Sequence, residues 1–546
     1  MPPIKLLYFT IRYLKSIQIL GRIWYRFYRP SIKQQPAPNL RPLSGMWASP
    51  ILSQKSLLSP WLFRFLNEEH ELFNGIGWDD KKISKLWRYN LHYFDGLNSI
   101  GNEYDQQWQK DLLLRWVEGN SVGKGTGWEP YPTSIRLVNW VKWSLAGNKL
   151  PSNCLDSLAM QARWLEKNLE IHLLGNHLFT NSKALIFVGL FFSGNDADRW
   201  LKKGFKILSK EMREQVLDDG GHFERSPMYH ALALEDMLDL MNICVTYKNS
   251  LAEKYAGIVS EWPSVIESMY AWMKGMCHQD GDISFFNDAA LNIAPTASDI
   301  CLYAKRQGIN FTNNIDQEII HFNESGYLRI TRDDMVAILD MAPIGPDYLP
   351  GHGHADSLSF EMSLKGHRVI VNSGTSCYGG SSERLRQRKT SAHSTVTVDG
   401  EDSSEVWGGF RVARRAYVSS PEIVKNGKSV TISSSHNGYL RLAGKNIHKR
   451  EWKVSDGSMS VTDYVTGEPG SVVARYHFHP NVKILTLSND NIYLETGDLK
   501  IMIKVVDAKI QIKKSTWHPE FGKSFENSVL VLVAESNKIT FLMSWE

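Results

Sequence analysis

Apolar residues return every three or four positions from about residue 55 to about residue 310, and alternation with a period of two takes over after about residue 320. The first rhythm lays one face of a helix against a core. The second puts alternate side chains of a strand on one face of a sheet. Helices are predicted over 105–118, 134–145, 154–173, 182–192, 197–215, 231–247 and 265–277, with short Gly, Asn and Pro loops between them. Successive antiparallel helices of similar length predict a bundle or an α/α toroid rather than a doubly wound sheet. Strands are predicted at 326–332, 335–340, 394–399, 429–433, 459–465, 482–487, 501–506 and 528–533, with Asn-Gly, Asp-Gly and Gly-Glu-Pro-Gly turns among them. Short strands joined by such turns predict an antiparallel sandwich. The expected organisation is residues 1–50 as an N-terminal segment, 51–315 as an all-α domain and 316–546 as an all-β domain.

The N-terminal segment has its own pattern. Between residues 4 and 29, Lys5, Arg12, Lys15, Arg22, Arg26 and Arg29 interrupt an apolar background. At roughly 100° per residue the six cations fall within about a third of a helix circumference. Leu6, Phe9, Tyr13, Ile17, Leu20, Trp24 and Phe27 lie on the other side. Two readings stay open for this basic amphipathic helix: it lies on an anionic membrane surface, or its apolar face docks on the body of the protein. No apolar run is long enough to span a bilayer, and no small-residue cleavage site follows a clean apolar core. A Pro-rich connector follows at 30–50.

Composition narrows the class. With 42% apolar and 22% charged residues in 546, the chain is an ordinary globular protein too long for one core. A net charge of +4 demands no nucleic acid and is compatible with an acidic substrate. Eighteen Trp and 21 Tyr could stack on sugar rings, although any single Trp is more simply a core residue. Cys154, Cys244, Cys277, Cys301 and Cys377 are scattered and form no Cys-x-x-Cys, so neither a disulfide framework nor a zinc–thiolate site is expected.

The candidate chemistry starts at Gly351-His352-Gly353-His354-Ala355-Asp356, which precedes a strand-like run. Read as strand, it places His352, His354 and Asp356 on one face. Two adjacent imidazoles suit a metal or an acid/base role, against the plainer reading of a hydrogen-bonded polar patch. In the helical half, Asn176 and His177 stand at the head of one helix and Glu224-Arg225-Ser226-Pro227-Met228-Tyr229 at the head of another; Asn287-Asp288 ends a third polar cluster. Helix starts attract anions, though Asn176 or Ser226 could simply cap. The β half adds Asn372-Ser-Gly-Thr and Thr390-Ser-Ala-His393-Ser-Thr, and His393 with His354 could supply two imidazoles to one zinc.

Five of these stretches in this order resemble the heparinase II/III family of polysaccharide lyases and its alginate-lyase-like relatives: Asn176-His177, Glu224 to Tyr229, Gly351 to Asp356, Asn372 to Thr375, and Thr390 to Thr395. The resemblance runs from about residue 60 onward. It implies an incomplete α/α toroid followed by an antiparallel β-sandwich, with the active site in the cleft between them. It also implies cleavage next to a uronic acid by β-elimination. Such chemistry must bind the carboxylate, take the C5 proton and protonate the leaving C4 oxygen.

By the same resemblance, Asn176 binds the carboxylate with help from His177. Tyr229 is the base, and a candidate acid for the leaving oxygen. Its phenol would have to be depressed from about 10 by Arg225, His230 or His352. His352 is the second acid/base candidate, and the choice depends on the substrate epimer. A structural zinc is implied on residues matching His354, Asn372 and His393. Asn372 stands where an Asp is usual, and an amide is a poorer ligand than a carboxylate, so either Asp356 compensates or no zinc is held. No organic cofactor is expected.

Trp87, Arg88, Trp128 and Arg136 are the expected subsite walls, with Arg225 beside them, for stacking and for carboxylates. The alternative for these is an aromatic core with capped arginines. Two other functions are weighed: a glycoside hydrolase on the same scaffold, with carboxylates drawn from Glu129, Glu224 and Asp288, and a non-catalytic envelope-polysaccharide assembly or binding protein. The resemblance places the protein in the cell envelope or periplasm; a cytoplasmic, membrane-peripheral enzyme touching lipid through residues 4–29 is the alternative. The sequence fixes no oligomeric state.

Overall fold

The computed structural model describes residues 4–28, 30–72, 77–101, 105–311, 317–488 and 491–546. Two short helices, α1 (Ile4–Ile11) and α2 (Ser16–Phe27), come first. The single helix expected here breaks because Lys15 is extended, at φ −66° and ψ 145°, and its N–H is taken by the Gln18 side chain at 2.9 Å. The connector then runs extended over the helical body, tied by the Ala37 N–H to Asp156 (2.7 Å) and the Ala48 N–H to Asn242 (3.1 Å).

The helical region carries α3 (Lys85–Tyr93), α4 (Gln106–Gly119), α5 (Pro130–Leu145), α6 (Ser152–Lys167), α7 (Gly175–Phe191), α8 (Asn195–Gln215), α9 (Pro227–Thr246), α10 (Glu253–Ser260), α11 (Trp262–Gly275) and α12 (Ala297–Arg306). It forms an incomplete α/α toroid. A small hairpin, Leu62–Phe65 with Glu68–Glu71, interrupts what the periodicity reads as helix throughout. Its core is aromatic. Trp116 packs edge-on to Trp140 at 5.8 Å, and both are fully buried. Each such ring stabilises the fold by roughly 2–3 kcal/mol through area removed from water. Local signals set the helix starts: Pro130 and Pro227 occupy first turns, and Thr296 and Asp299 form a capping box on α12.

The β region is antiparallel. Five strands run in chain order from Ile319–Phe322 to His367–Ile370. An eight-stranded sheet runs from Glu422–Asn426 to Lys483–Leu487, with the last strand, Lys538–Trp545, inserted between Ser458–Thr466 and Leu499–Val506. A four-stranded sheet holds Val396–Val398 at its edge. Side chains of all three sheets, such as Leu328, Val461 and Leu530, share one buried core. Helix α13 (Ser382–Arg388) sits between strands.

The segment after α11 joins the two regions. Arg329 of the sheet donates to the carbonyls of Gly275 (3.0 Å) and Cys277 (2.6 Å), and the buried Arg368 pairs with Asp280 at 2.7 Å. Asn287 and Tyr327 both donate to the Arg225 carbonyl, at 3.0 and 2.7 Å. Arg225 has a left-handed backbone (φ 58°), which turns the chain into α9. The site is built on this seam.

Candidate active site

Helix α9 delivers Tyr229. Ser226 caps the helix by accepting the Tyr229 N–H at 3.2 Å, and its hydroxyl donates to the Asp288 carbonyl. Ser226 is therefore a cap, as its residue type allows, and that cap fixes where Tyr229 leaves the helix. Asn176 is not a cap: the N-cap position of α7 is Leu174, which offers no side-chain oxygen. The free end of α7 instead faces Glu224. A Cβ on Gly175 would lie 3.2 Å from the Glu224 carboxyl, and the Asn176 backbone N–H is hydrogen-bonded toward it.

His352 arrives from the β side. The segment 351–359 is a loop, and the strand begins only at Phe360. The strand expected over His352 to Asp356 does not form, because its backbone groups bond to the Asn287–Asp288 turn. The Asp288 N–H donates to the His352 carbonyl (3.0 Å), and the His354 N–H to the Asn287 side chain (2.9 Å). Gly353 packs against the Ile344 carbonyl, 2.3 Å from where a Cβ would stand, so no side chain fits there. The three polar residues then point two ways. His352 faces the cleft, while His354 and Asp356 turn into the interior.

Asn176, His177, Tyr229, His352 and Tyr378 are all partly exposed. The Tyr229 and His352 rings lie 4.0 Å apart, centroid to centroid, and the Tyr229 and Tyr378 hydroxyls are 2.8 Å apart. His352 Nε2 lies 3.7 Å from Glu224, which also adjoins Asn176. The His177 ring packs on Tyr131 at 4.5 Å, and its Nδ1 bonds Glu170 at 3.1 Å. Burial opposes a charge on His177, but Glu170 outweighs it and holds the imidazole above its ordinary value.

Behind His352 stands Asp288, fully buried. It accepts from His352 Nδ1 (2.8 Å), from His354 Nε2 (2.8 Å) and from both terminal nitrogens of Arg384, one at 2.7 Å. Burial opposes its charge, yet Arg384 and the two imidazoles hold its carboxyl well below the usual range. An ionised Asp288 fixes the tautomers: Nδ1 of His352 and Nε2 of His354 carry the protons. His352 Nε2 is the ring nitrogen left free of Asp288, 3.7 Å from Glu224.

The phenols sit differently from expectation. Burial pushes both Tyr229 and Tyr378 well above the usual phenol value, and Asp288 adds to this. None of the three expected cations reverses it. The Arg225 guanidinium points away and donates to the carbonyls of Ser325 (2.9 Å) and Glu324 (3.4 Å). Burial lowers His230 to about 4, and its Nε2 bonds the Met269 carbonyl. The His352 ring packs on the Tyr229 ring, tilted by 36°. Both phenols are neutral proton donors.

The expected metal ligands partly converge. His354, Asp356 and His393 are buried, with one ligand atom of each within 4.8 Å of the others. His354 Nδ1 and His393 Nε2 face each other at 3.3 Å, about the edge of a tetrahedron with zinc–nitrogen bonds of about 2.0–2.1 Å. Burial lowers His354 to about 4, leaving its Nδ1 a lone pair, and Asp288 on Nε2 is the usual carboxylate support of a ligating histidine. The Asn372 Nδ2 and His393 Nδ1 atoms lack hydrogen-bond partners among the described residues. These residues fit a metal ion, with Asp356 as the carboxylate that Asn372 does not provide.

Trp87, Trp128 and Arg136 are interior, and Arg88 is a partly exposed, paired cation. Trp87 is fully buried and donates to the Glu68 carbonyl (3.1 Å); Trp128 is 3% exposed and donates to the Asn120 carbonyl (3.2 Å). Arg136, fully buried, bonds Gln161 (2.8 Å) and the carbonyls of His92 (3.1 Å) and Gly127 (2.8 Å) and lies 3.9 Å over Trp116. Arg88 is paired with Asp79 and bonded to Thr126 at 2.9 Å. The core reading holds for these side chains. Their neighbours Tyr89, Glu129 and Tyr131 are partly exposed, and Tyr89 donates to Glu129. Periodicity could have found this: Trp87 and Leu91 lie four apart on the buried face of α3, and Tyr89 lies off it.

Residues 74–298 match the family model for the heparinase II/III N-terminus, and residues 314–545 that for the heparinase II/III-like C-terminal domain. A heparin-sulfate lyase of Bacteroides stercoris is 26% identical over 258 residues, 42% of this chain and 38% of that protein. One from Pedobacter heparinus is 25% identical over 350 residues, 59% of this chain and 49% of that protein. The matched stretches thus span less than half of these relatives. The crystal structure of a heparinase III superposes with a TM-score of 0.72 at 16% identity, covering 97% of this chain and 89% of the other. That of the heparan sulfate lyase HepC from Pedobacter heparinus gives 0.58 at 18% identity, covering 89% and 81%. These likenesses show the shared fold.

Proposed function

This chain belongs to the heparinase II/III family, and we propose that it is a polysaccharide lyase cleaving a uronic-acid-containing glycan by β-elimination. The observation that carries the proposal is the contact of the Tyr229 ring with the His352 imidazole, with Glu224 linking His352 to the Asn176 backbone. The Asn176 amide donates to the uronate carboxylate, neutralising charge without titrating. His352 Nε2 takes the C5 proton. The C5–H electrons become the C4–C5 double bond, the C4–O4 bond breaks, and O4 takes the Tyr229 proton. Tyr378, hydrogen-bonded to Tyr229, orients that phenol.

His352 is the better base because its tautomer is fixed by Asp288, while both phenols are held protonated. Rings in face contact approach the sugar from one side. They suit a uronate whose C5 hydrogen and C4 oxygen share a face, as in glucuronate, and not its C5 epimer. His354, Asp356 and His393 would hold a zinc ion, which when bound supplies a fixed cross-link behind His352. A hydrolase needs two free carboxyls across the cleft; Asp288 is engaged at both oxygens and Glu129 by Tyr89 and Lys85, which leaves Glu224 alone of the three candidates.

The test is a screen of defined uronate polymers for the ultraviolet absorbance of an unsaturated uronate. Activity should appear on a glucuronate-containing polymer and be lost in Tyr229→Phe. Reducing sugar without that absorbance would overturn the lyase reading, and no turnover would favour a binding protein.

A further inference from the structure

Helix α2 docks the wrong way round for a soluble amphipathic helix. Its inward face is polar or small, whereas α1 half-buries Leu6, Leu7, Phe9 and Thr10. Gln18 is 1% exposed and donates to the Tyr348 carbonyl at 3.1 Å. Gly21 lies so close to His172 that a Cβ would stand 2.6 Å from its Cβ. Tyr25 donates to the Leu169 carbonyl, and Thr10 accepts from Trp407 at 3.0 Å. The outward face is apolar: Leu20 is 63% exposed, Trp24 59%, Phe27 77%, and on α1 Ile4 is 85% and Tyr8 62%. At 100° per residue, Ile17, Leu20, Ile23, Trp24 and Phe27 cover an arc of about 120°. Water is a poor neighbour for so continuous a stripe.

Charge identifies what covers it. The first 67 residues hold ten of the 62 Lys and Arg and none of the 58 Asp and Glu, so the remaining 52 bases face 58 acids, a net −6. The body is acidic, and the strap carries the whole positive excess. Lys5, Arg12, Arg22 and Arg26 have no acidic partner among the described residues. Arg22 and Arg26 flank the stripe on α2. An adjoining recess bounded by Trp24 and Tyr28 also carries Lys167 and Lys203. Lys167 donates to the Ser31 carbonyl (2.7 Å) and Lys203 to the Glu166 carbonyl (2.6 Å); with Arg199 they set three cations against one carboxylate, that of Glu166, in the recess.

We propose that the outer face of α1 and α2 is a docking surface for an anionic lipid bilayer. The apolar stripe enters the acyl boundary, Tyr8 and Trp24 sit at headgroup level, and the flanking cations meet lipid phosphates. A second copy of this chain is the poorer occupant, since a twofold contact would press two strongly cationic straps together. The proposal is independent of the lyase reading, because its test uses no glycan.

The test is co-sedimentation of the full chain with phosphatidylcholine vesicles, with or without phosphatidylglycerol. Binding is expected to the anionic vesicles and to fall as salt rises. Arg22→Gln with Arg26→Gln should weaken it about fivefold per arginine. Leu20→Ser, Trp24→Ser and Phe27→Ser together should weaken it by about a hundredfold or more. All three side chains are exposed, and unchanged circular dichroism would confirm that the variant folds. No binding to anionic vesicles would overturn the proposal. So would binding that neither set of substitutions alters, or a dimer in lipid-free solution that the triple variant dissociates.

Discussion

Asp288→Asn is the sharpest probe of the site, because it keeps the shape of the residue and removes only its charge. Arg384 is fully buried, and its carboxylate partner is Asp288. Leaving that guanidinium unpaired costs about 3–5 kcal/mol of stability. The second effect falls on chemistry. A carboxylate accepts on both oxygens, whereas an amide turns an NH₂ toward one of the three donors that meet at 288. If that donor is His352 Nδ1–H, the ring must take the other tautomer, and Nε2 loses its lone pair. In catalytic triads the equivalent change lowers turnover about 10⁴-fold, and a loss of about 10³–10⁴-fold is expected here. The assay pairs the initial rate of unsaturated-uronate formation with urea unfolding of the same sample. KM should change little, since Asp288 touches no substrate. A variant that unfolds at a lower urea concentration but keeps turnover within about tenfold would refute the claim that Asp288 sets the tautomer of His352.

Other outcomes follow from the same geometry. Burial holds His92 at about 3, His222 at about 3 and His230 at about 4. Their values in the unfolded chain are about 6.5, so the unfolded state binds more protons between about pH 6.5 and about pH 4. Their stability contribution is therefore complete above about pH 6.5 and lost as pH falls, at about 1.4 kcal/mol per pH unit for each histidine. The urea midpoint should drop steeply between about pH 7 and about pH 5, and a flat profile would contradict their burial as neutral rings. Purified protein should retain one zinc per chain by elemental analysis, and His393→Ala should lose it; wild-type protein that stays zinc-free after loading would leave His354 and His393 as a plain hydrogen-bonded pair. Arg136→Met should lower unfolding free energy by about 2–5 kcal/mol, because it strips partners from buried carbonyls, with KM for the polymer unchanged. A raised KM at intact stability would return Arg136 to the subsite.

The division into helices and strands was legible because each period persists for hundreds of residues. The strands from 326 to 533 and the helices from 105 to 277 lie where the alternation and the three-to-four spacing put them, except that the helix expected over 154–173 ends at Lys167. The small hairpin at 62–71 and the break at Lys15 were not legible, for both depend on single backbone conformations: left-handed at Leu66 and Asn67, extended at Lys15. In the site, the residues that face the cleft sit in motifs with recognisable order. Those that orient them do not. Asp288 stood out as part of a polar cluster and as a candidate carboxylate, but it lies 64 residues from His352 in sequence, and nothing local tied it to that ring. Arg384 reads as one more cation in a basic stretch. The subsite residues failed for a related reason: a Trp or Arg beside a motif has the right chemistry, but the helix face decides whether it meets the cleft, and in α3 and α5 that face is the core.

The two carboxyls flanking His352 show why the hidden layer matters. Glu224 and Asp288 are both buried, and both lie within reach of the same ring, at 3.7 Å from Nε2 and 2.8 Å from Nδ1. Their environments push them apart. Asp288 has Arg384 and a second imidazole, and it stays charged. Glu224 has no hydrogen bond to its carboxyl from another side chain, and burial raises it above the usual carboxylate value despite His352. The ring is therefore anchored on one side by an anion and met on the other by a carboxyl biased toward neutrality. If both were charged, both ring nitrogens would face an anion. If neither were, the ring could rotate or change tautomer. One charged and one neutral carboxyl anchor the ring through Nδ1 and leave Nε2 to meet the substrate. Glu224→Gln, which fixes the neutral state, should accordingly be tolerated far better than Asp288→Asn, with turnover kept within about tenfold. Equal losses in the two variants would show that Glu224 acts as an anion and that the asymmetry argued here is wrong.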